Sequence, residues 1–395
     1  MQFWQIIFIV SCLIIFYNYA GYAILVYAFN SITGRKNKLL SDSSPLPSVS
    51  FIVAAFNEED FIEMKITNSL EQDYTSSLIE YIFVTDGSTD NTNSIISKHP
   101  QIQLLYQPER KGKSAAINRA VQAAKNDILI FSDANTMLNK EATLRIIKNY
   151  SSEKIGGVSG EKKVVNLTGS SDHVSTGEGL YWKYESTLKK IDSDFYSVVG
   201  AAGELFSIRR KLYQPLPHYV ILDDFIISLK TAQAGYRVLY EPGAYAMESP
   251  SFSVKDEQKR KIRISAGGFQ SIAMLGSLLY FWKHARLSFL YISHRLLRWT
   301  LTPLCLMLAL LSNVILVIQG SHMIFTIVLI AQLIFYAMAI TGSVLPRNRF
   351  KIVKLPYYFT FMNVSVILGF FRYLRGNQSA VWEKAKRAPA TFTTK

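Results

Sequence analysis

A mainly parallel α/β sheet joined to membrane-spanning helices is the fold class this 395-residue sequence predicts, on three observations. Short β-branched runs alternate with helical ones from Pro47 to about Glu248, the pattern of a parallel sheet. Long apolar runs flank that stretch on both sides, near the ~20 residues that cross a hydrocarbon core. Charge is unevenly spread: residues 1–250 hold 24 basic and 26 acidic side chains, and residues 251–395 hold 19 and 3.

Composition narrows the class further. With 49% hydrophobic and 18% charged residues, the chain is not a disordered or collagenous one. Cys12 and Cys305 both fall inside apolar runs, so neither a disulfide framework nor a Cys/His zinc site is available. The net charge of +14 sits among apolar runs. That suits an anionic membrane face and argues against a nucleic-acid partner.

The first apolar run, Trp4 to Phe29, contains no charged residue. It lacks a basic leading region and exceeds the ~7–15-residue core of a signal peptide, so it reads as a membrane span. Arg35, Lys36 and Lys38 mark the end that follows as cytoplasmic. Three later runs are Thr300 to Ile318, Met323 to Ile340, and Tyr357 to Phe371. With Arg295 and Arg298 before them and Arg347, Arg349, Lys351 and Lys354 between the last two, three spans fit one topology. It puts the N-terminus outside and residues 35–295 inside. A full crossing by the last run would place Arg372, Arg375, Lys384, Lys386 and Arg387 outside. A re-entrant or interfacial segment is the alternative there. Phe269 to Tyr291, with Tyr280, Trp282, Lys283 and Arg286, reads as an amphipathic helix lying in the interface. The expected division is a span in 1–31, a cytoplasmic domain in 32–250, basic interfacial helices in 251–298, about three spans in 299–376 and a basic tail in 377–395.

Within the middle stretch, strands are predicted at Ser48–Ala55, Glu80–Thr85, Gln103–Tyr106 and Asp127–Ser132. Helices are predicted at Glu59–Gln72, Asn91–Lys98 and Ser114–Lys125. The apolar strands imply burial on both sheet faces. Ligands of such sheets lie beyond the carboxyl ends of the strands, where Phe56-Asn57-Glu58, Asp86-Gly87-Ser88 and Asp133-Ala134-Asn135 stand. Each alone is also a turn or cap signature. Together they favour a site. Mg²⁺ binds through one or two carboxylates and substrate phosphates, which suits Asp133 with Asn135. Asp86 suits hydrogen bonds to a nucleobase or ribose.

Gln107 stands where a Walker A loop ending at Gly112-Lys113-Ser114 needs glycine, and no G-x-G-x-x-G follows the first strand. Phosphate-loop NTPases and nicotinamide dehydrogenases are therefore excluded. Lys113 and Arg110 remain able to approach a diphosphate, and a solvated basic loop is the plain alternative. Gly200-Ala201-Ala202-Gly203-Glu204 allows close backbone approach to a ligand, or forms a tight turn. Asp223 and Asp224 open a helix carrying Leu222, Phe225, Ile226 and Leu229 at helical spacing. They act either as cap and dipole partners or as a general base, whose pKa a like-charged neighbour raises and the dipole lowers. Lys259, Arg260, Lys261 and Arg263 contact lipid headgroups or stabilise a leaving diphosphate.

As an ordered set these motifs resemble the membrane-bound family 2 glycosyltransferases, especially the poly-N-acetylglucosamine, hyaluronan and cellulose synthases. The resemblance runs from about Pro47 to Gln270. It implies a GT-A type nucleotide-diphospho-sugar transferase fold. Phe56-Asn57-Glu58-Glu59 looks like the family's nucleotide loop, with Ala55 at its frequent proline. Asp86-Gly87-Ser88-Thr89-Asp90 is similar to D-G-S-x-D, whose first Asp binds the base. Gly112-Lys113 matches the G-K near the nucleotide. Asp133 and Asn135 match D-x-D with its second Asp replaced, which implies Mg²⁺ or Mn²⁺. Gly203 sits where the family has an acceptor glycine, and Glu204 beside it, which has no named counterpart, is grouped with it as an acceptor-binding candidate. Asp224, preceded by Asp223, takes the position of the base. Arg263 keeps the Arg of Q-x-x-R-W, while Arg260 and Ile264 replace its Gln and Trp.

The resemblance implies a single inverting displacement from a nucleotide-diphosphate sugar, a UDP-sugar by the family's habit. The acceptor is a hydroxyl of a glycan. A polyprenyl-phosphate or other lipid-linked acceptor is the alternative. A non-catalytic scaffold partnering another membrane subunit is the alternative from a different class. The implied location is the inner cell membrane, multi-pass, with a cytoplasmic catalytic domain.

Overall fold

The computed structural model describes residues 2–33, 39–41, 44–164, 173–249, 251, 253–344 and 351–376. Two compact units share the chain. One holds residues 34–167 and 185–252 and is built on a sheet. The other holds residues 1–33, 168–184 and 253–376 and is helical.

In the sheet unit, strands β1 (Val49–Ala55), β2 (Ile79–Asp86), β3 (Ile102–Gln107), β4 (Ile128–Asp133), β5 (Thr136–Leu138), β6 (Ile155–Val164), β7 (Leu205–Arg209) and β8 (Arg237–Glu248) pair in the order β3-β2-β1-β4-β7-β6-β8-β5. The first four run parallel to one another. The β4–β7, β6–β7 and β5–β8 pairs are antiparallel, so the sheet is mixed. Every residue of β1 is buried, and β2 and β4 are nearly so, because helices cover both faces of these strands. Phe51, Val53, Phe83 and Ile130 form the centre of that core.

Register places the site. Ala55 pairs with Thr85 and Ala54 with Asp133, so Asp86 and Asp133 emerge at one edge on either side of β1. The chain departs from β1 toward β2 on one side and β4 on the other, which is where such a sheet opens a crevice. Because Ser132 pairs with Leu205, the turn before β7 delivers Gly203 and Glu204 to the same edge. Strands β6 and β8 were not expected from the sequence.

In the helical unit, four segments are long and apolar enough to cross a membrane: Gln2–Ile32, Leu301–Ile318, Met323–Val344 and Ile352–Leu374. The fourth extends the run expected at Tyr357–Phe371 at both ends. Its helix begins at Lys351, lasts 24 residues and carries Pro356 inside its second turn, where one helical hydrogen bond is lost. The expected interfacial helix over 269–291 is broken. One helix ends at Met274, and another runs from Ala285 to Tyr291 after a 3₁₀ turn. Trp282 is exposed between them. Buried Arg298 reaches Tyr184 Oη at 3.3 Å, and its guanidinium lies 5.8 Å from the Tyr19 ring. The basic residues at 35–38, Arg347, Arg349 and the tail beyond 376 lie outside the described residues.

Candidate active site

The loops after β1 and β2 are stitched together. Asn57 adopts φ 52° and is held there by Ser88 Oγ on its N–H and by its own Oδ1 accepting Thr89 N–H at 2.8 Å. Glu58 N–H donates to Thr92 Oγ1. Phe56 lies under the Arg110 guanidinium, 3.5 Å from it, so the loop after β1 meets the basic loop through a cation–π contact. Asp86 is fully buried. Its two oxygens accept the Lys111 and Gly112 amides, each at 2.8 Å. The sequence reading of Asp86 as a ligand group alone is therefore incomplete, because this carboxylate also fixes the loop that presents Lys113.

Lys113 opens the helix Lys113–Ala123 and turns its ammonium onto Asp133 Oδ1, 2.6 Å away, with Asp223 Oδ2 at 4.0 Å. Burial alone would lower the Lys113 pKa, but Asp133, Asp223 and Asp224 outweigh it and raise the group above an ordinary lysine. Burial raises Asp133, with Glu204 and Asp223 adding to the rise and Lys113 opposing it. Asp224 is pushed up to about 7, first by burial and then by Asp223, with Glu204 adding and Lys113 and the Phe225 amide opposing. Here the like-charge effect wins over the helix terminus. A small cleft opens beside these groups, lined by Ala54, Lys113, Phe131, Asp133 and Gly203 among others.

Two glycines shape this corner. A Cβ on Gly203 would stand 3.1 Å from Asp224 Oδ2, so glycine keeps space in front of that carboxylate. Gly200 has φ 91°, and a Cβ there would run into the Phe225 ring, next to Asp224. Gly200→Ala should therefore destabilise the protein by about 2–4 kcal/mol, from left-handed strain plus overpacking. Thermal unfolding in detergent checks this, and an unchanged midpoint would refute it.

The donors fit a hard divalent ion of the kind bound by one or two carboxylates and finished by substrate oxygens. Asp133 and Asn135 flank the tight turn closed by Thr136 Oγ1 on the Asp133 carbonyl, 3.0 Å away. Asp223 Oδ2 is buried without a hydrogen bond, and the Lys113 ammonium faces it at 4.0 Å. Among the described residues, no three His, Cys, Asp or Glu side chains form a complete cage.

Sequence reasoning missed two buried cations. Lys65 donates to Ser132 Oγ at 2.6 Å and to the Thr136 carbonyl at 2.9 Å, bracing the turn that holds Asp133 and Asn135. Burial pulls it down to about 7, against the attraction of Asp133. A signal existed: Ile62, Lys65, Ile66 and Ser69 share one buried helical face. Lys162 is wholly buried and binds both Glu204 and Glu248. In the sequence it hides in the run Glu161-Lys162-Lys163.

Arg263 lies in the helical unit, on the helix Val254–Met274. Its neighbours Arg260 and Lys261 ion-pair with buried Glu257 at 3.4 and 3.2 Å. Lys261 also lies 5.5 Å from the Trp182 ring. Both of these ion pairs lie within the one helix.

Comparison with known proteins agrees with this geometry. Residues 50–216 match the glycosyl transferase family 2 profile. A poly-beta-1,6-N-acetyl-D-glucosamine synthase of Staphylococcus aureus (strain MSSA476) is 26% identical over 232 residues, 57% of this chain and 55% of that protein. One from Staphylococcus epidermidis is 23% identical over 244 residues, 59% of this chain and 58% of that protein. The chain thus matches little more than half the length of these relatives. Among solved structures, the mannosyltransferase PcManGT from Pyrobaculum calidifontis, in complex with GDP-Man and Mn²⁺, superposes with a TM-score of 0.70 at 22% identity, covering 95% of this chain and 99% of that one. That likeness establishes a GT-A fold. Residues 50–216, which carry Asp86, Lys113 and Asp133, match the family 2 glycosyltransferase domain.

Proposed function

We propose that the protein transfers a sugar from a nucleotide-diphosphate sugar to a hydroxyl, with inversion, by a single displacement. The observation that carries this is the pairing of opposite tendencies at one sheet edge. Asp224 is a carboxyl raised to about 7, and Lys113 is a cation held beside Asp133. A group that ionises near neutrality suits a general base. A fixed cation suits a leaving diphosphate.

In this reading Asp224 takes the proton from the acceptor hydroxyl, and Asp223 raises its basicity. Phe56, Glu58 and Asp86 belong to the loops that receive the nucleotide. Lys113 meets the diphosphate. Asp133 and Asn135 would hold Mg²⁺ or Mn²⁺, which supplies positive charge against the leaving group. Gly203 leaves room for the acceptor in front of Asp224. The relatives' name, poly-beta-1,6-N-acetyl-D-glucosamine synthase, supports a glycan acceptor; the resemblance implies a UDP-sugar donor and a sheet unit on the cytoplasmic side of the inner membrane. Ile264 in place of the family's tryptophan favours a lipid-linked acceptor or a partner membrane subunit over unaided polymer extension.

Purified in detergent, the chain should release nucleoside diphosphate from one member of a panel of nucleotide sugars, and only with Mg²⁺ or Mn²⁺ present. Silence across the panel together with no nucleotide binding would replace this reading with a non-catalytic scaffold.

A further inference from the structure

Behind the candidate site lies a buried triad. Lys162 on β6 donates to Glu204 Oε1 at 2.7 Å and to Glu248 at the end of β8. The side chains of Lys162 and Glu248 are 0% and 3% exposed, and that of Glu204 is 12% exposed. One ammonium serves two carboxylates, so the triad carries a net negative charge, and Glu204 is its accessible end. The backbone fixes that end as well. Ser132 Oγ donates to the Glu204 carbonyl at 3.1 Å, directly beside Asp133. Glu248 pairs with Thr136 across the sheet, so the same triad abuts the turn that carries Asn135.

Burying three charges is costly, and an apolar trio of similar volume is often as stable. A triad of this kind is therefore better explained by what its accessible member does. The charge of Glu204 acts on both Asp133 and Asp224. In an inverting displacement, the group between the leaving diphosphate and the base is the transferred sugar. We infer that Glu204, clamped by Lys162 and Glu248, binds a hydroxyl of the transferred sugar and selects an uncharged hexosyl donor over a hexuronosyl one. This rests on the transferase reading above and names its substrate class.

The chemistry runs in both directions. A carboxylate accepts strongly from a hydroxyl, and such a charged hydrogen bond is about twice as strong as a neutral one. A uronate would bring a fourth negative group against Glu204, Asp133 and Asp224, with the Lys113 and Lys162 ammonium groups already paired to them. The sequence placed Glu204 with the acceptor. The triad assigns it to the donor.

The test uses the full chain in detergent, with equilibrium binding of UDP, UDP-glucose, UDP-N-acetylglucosamine, UDP-glucuronate, GDP and GDP-mannose in Mn²⁺. In the wild type, the neutral sugar bound best should bind at least about 10-fold tighter than UDP-glucuronate. Glu204→Gln keeps an acceptor for Lys162 and removes the charge. It should shrink that preference by about 10-fold and weaken the neutral sugar, while leaving the affinity for the bare nucleoside diphosphate unchanged. Glu204→Asp should keep the discrimination against glucuronate.

Equal effects on neutral and acidic sugars, or a change in UDP or GDP affinity alone, would overturn the inference and leave the transferase reading standing. So would unchanged donor binding with altered turnover, which would return Glu204 to the acceptor. Binding of no nucleotide or nucleotide sugar by the wild type would overturn both.

Discussion

Asp224→Asn should lower the transfer rate by roughly 10²–10⁴-fold, the range a positioned general base supplies, while donor affinity stays near that of the wild type. The pH profile should separate this role from a structural one. Asp224 must be ionised to accept the hydroxyl proton, and its carboxyl is raised to about 7 by burial and by Asp223. Turnover in the wild type should therefore climb as pH rises through about 7 and level above it. The residual activity of the variant should lack that inflection. Groups facing Asp224 set where it falls: Asp223 and Glu204 push it up, and Lys113 pulls it down. Lys113→Met should accordingly move the inflection to higher pH.

The same shift carries a stability consequence. An unfolded aspartate releases its proton near 3.9, whereas the folded one keeps it to about 7. Between those values the folded state binds the extra proton, so this group's contribution is full at low pH and fades as pH rises through about 7. At pH 8 the ionised carboxylate is a burden that Asn removes. The variant should then unfold at a higher temperature than the wild type at pH 8, with the gap closing toward pH 5. A variant with unchanged turnover, or one that is inactive but less stable at pH 8, would dismiss Asp224 as a base under strain.

Much of this site could be read in the sequence, for a physical reason. Strands β1, β2 and β4 are buried on both faces, so they are written as unbroken apolar runs. Their carboxyl ends are then announced by the first polar residue, Thr85-Asp86 and Ser132-Asp133. The four long apolar helices were legible for the same reason of forced apolarity. Strands β6 and β8 were not. Strand β6 opens Ile155-Gly156-Gly157-Val158 and closes with Lys162 and Lys163, and β8 contains Pro242 and Gly243. Neither carries a clean period of two, because their pairing includes register shifts near Gly157 and Glu161. Lys162 escaped because its meaning depends on Glu204 and Glu248, which are 42 and 86 residues away. The second duty of Asp86 escaped likewise, since its partners are main-chain amides, and those leave no mark in a sequence. The broken helix after Met274 shows the opposite failure. Amphipathic composition over 269–291 was uniform, but the backbone is not.

Asp133→Asn should be as damaging as Asp224→Asn, through a different step, and donor binding is where the two part. Asp133 does two things in this structure. Its Oδ1 receives the Lys113 ammonium at 2.6 Å, and with Asn135 it offers hard oxygen ligands at the strand end. Neutralising it removes both the carboxylate that would hold a divalent ion and the strongest partner of Lys113. Loss of several kcal/mol of charge stabilisation on the departing diphosphate corresponds to a fall of roughly 10²–10³-fold in kcat. Donor affinity should fall with it, and the Mn²⁺ concentration giving half-maximal donor binding should rise. Asp224→Asn should move neither quantity. Asp133→Glu should recover part of the metal response, since the charge returns at a longer reach. Calorimetric titration of the nucleotide sugar at several Mn²⁺ concentrations reads both quantities for all three variants. Wild-type donor affinity and an unshifted Mn²⁺ dependence in Asp133→Asn would remove the metal role from this residue and leave it only as the counter-charge of Lys113. In that case Lys113→Met and Asp133→Asn should be no worse together than either alone, because both would break the same pair.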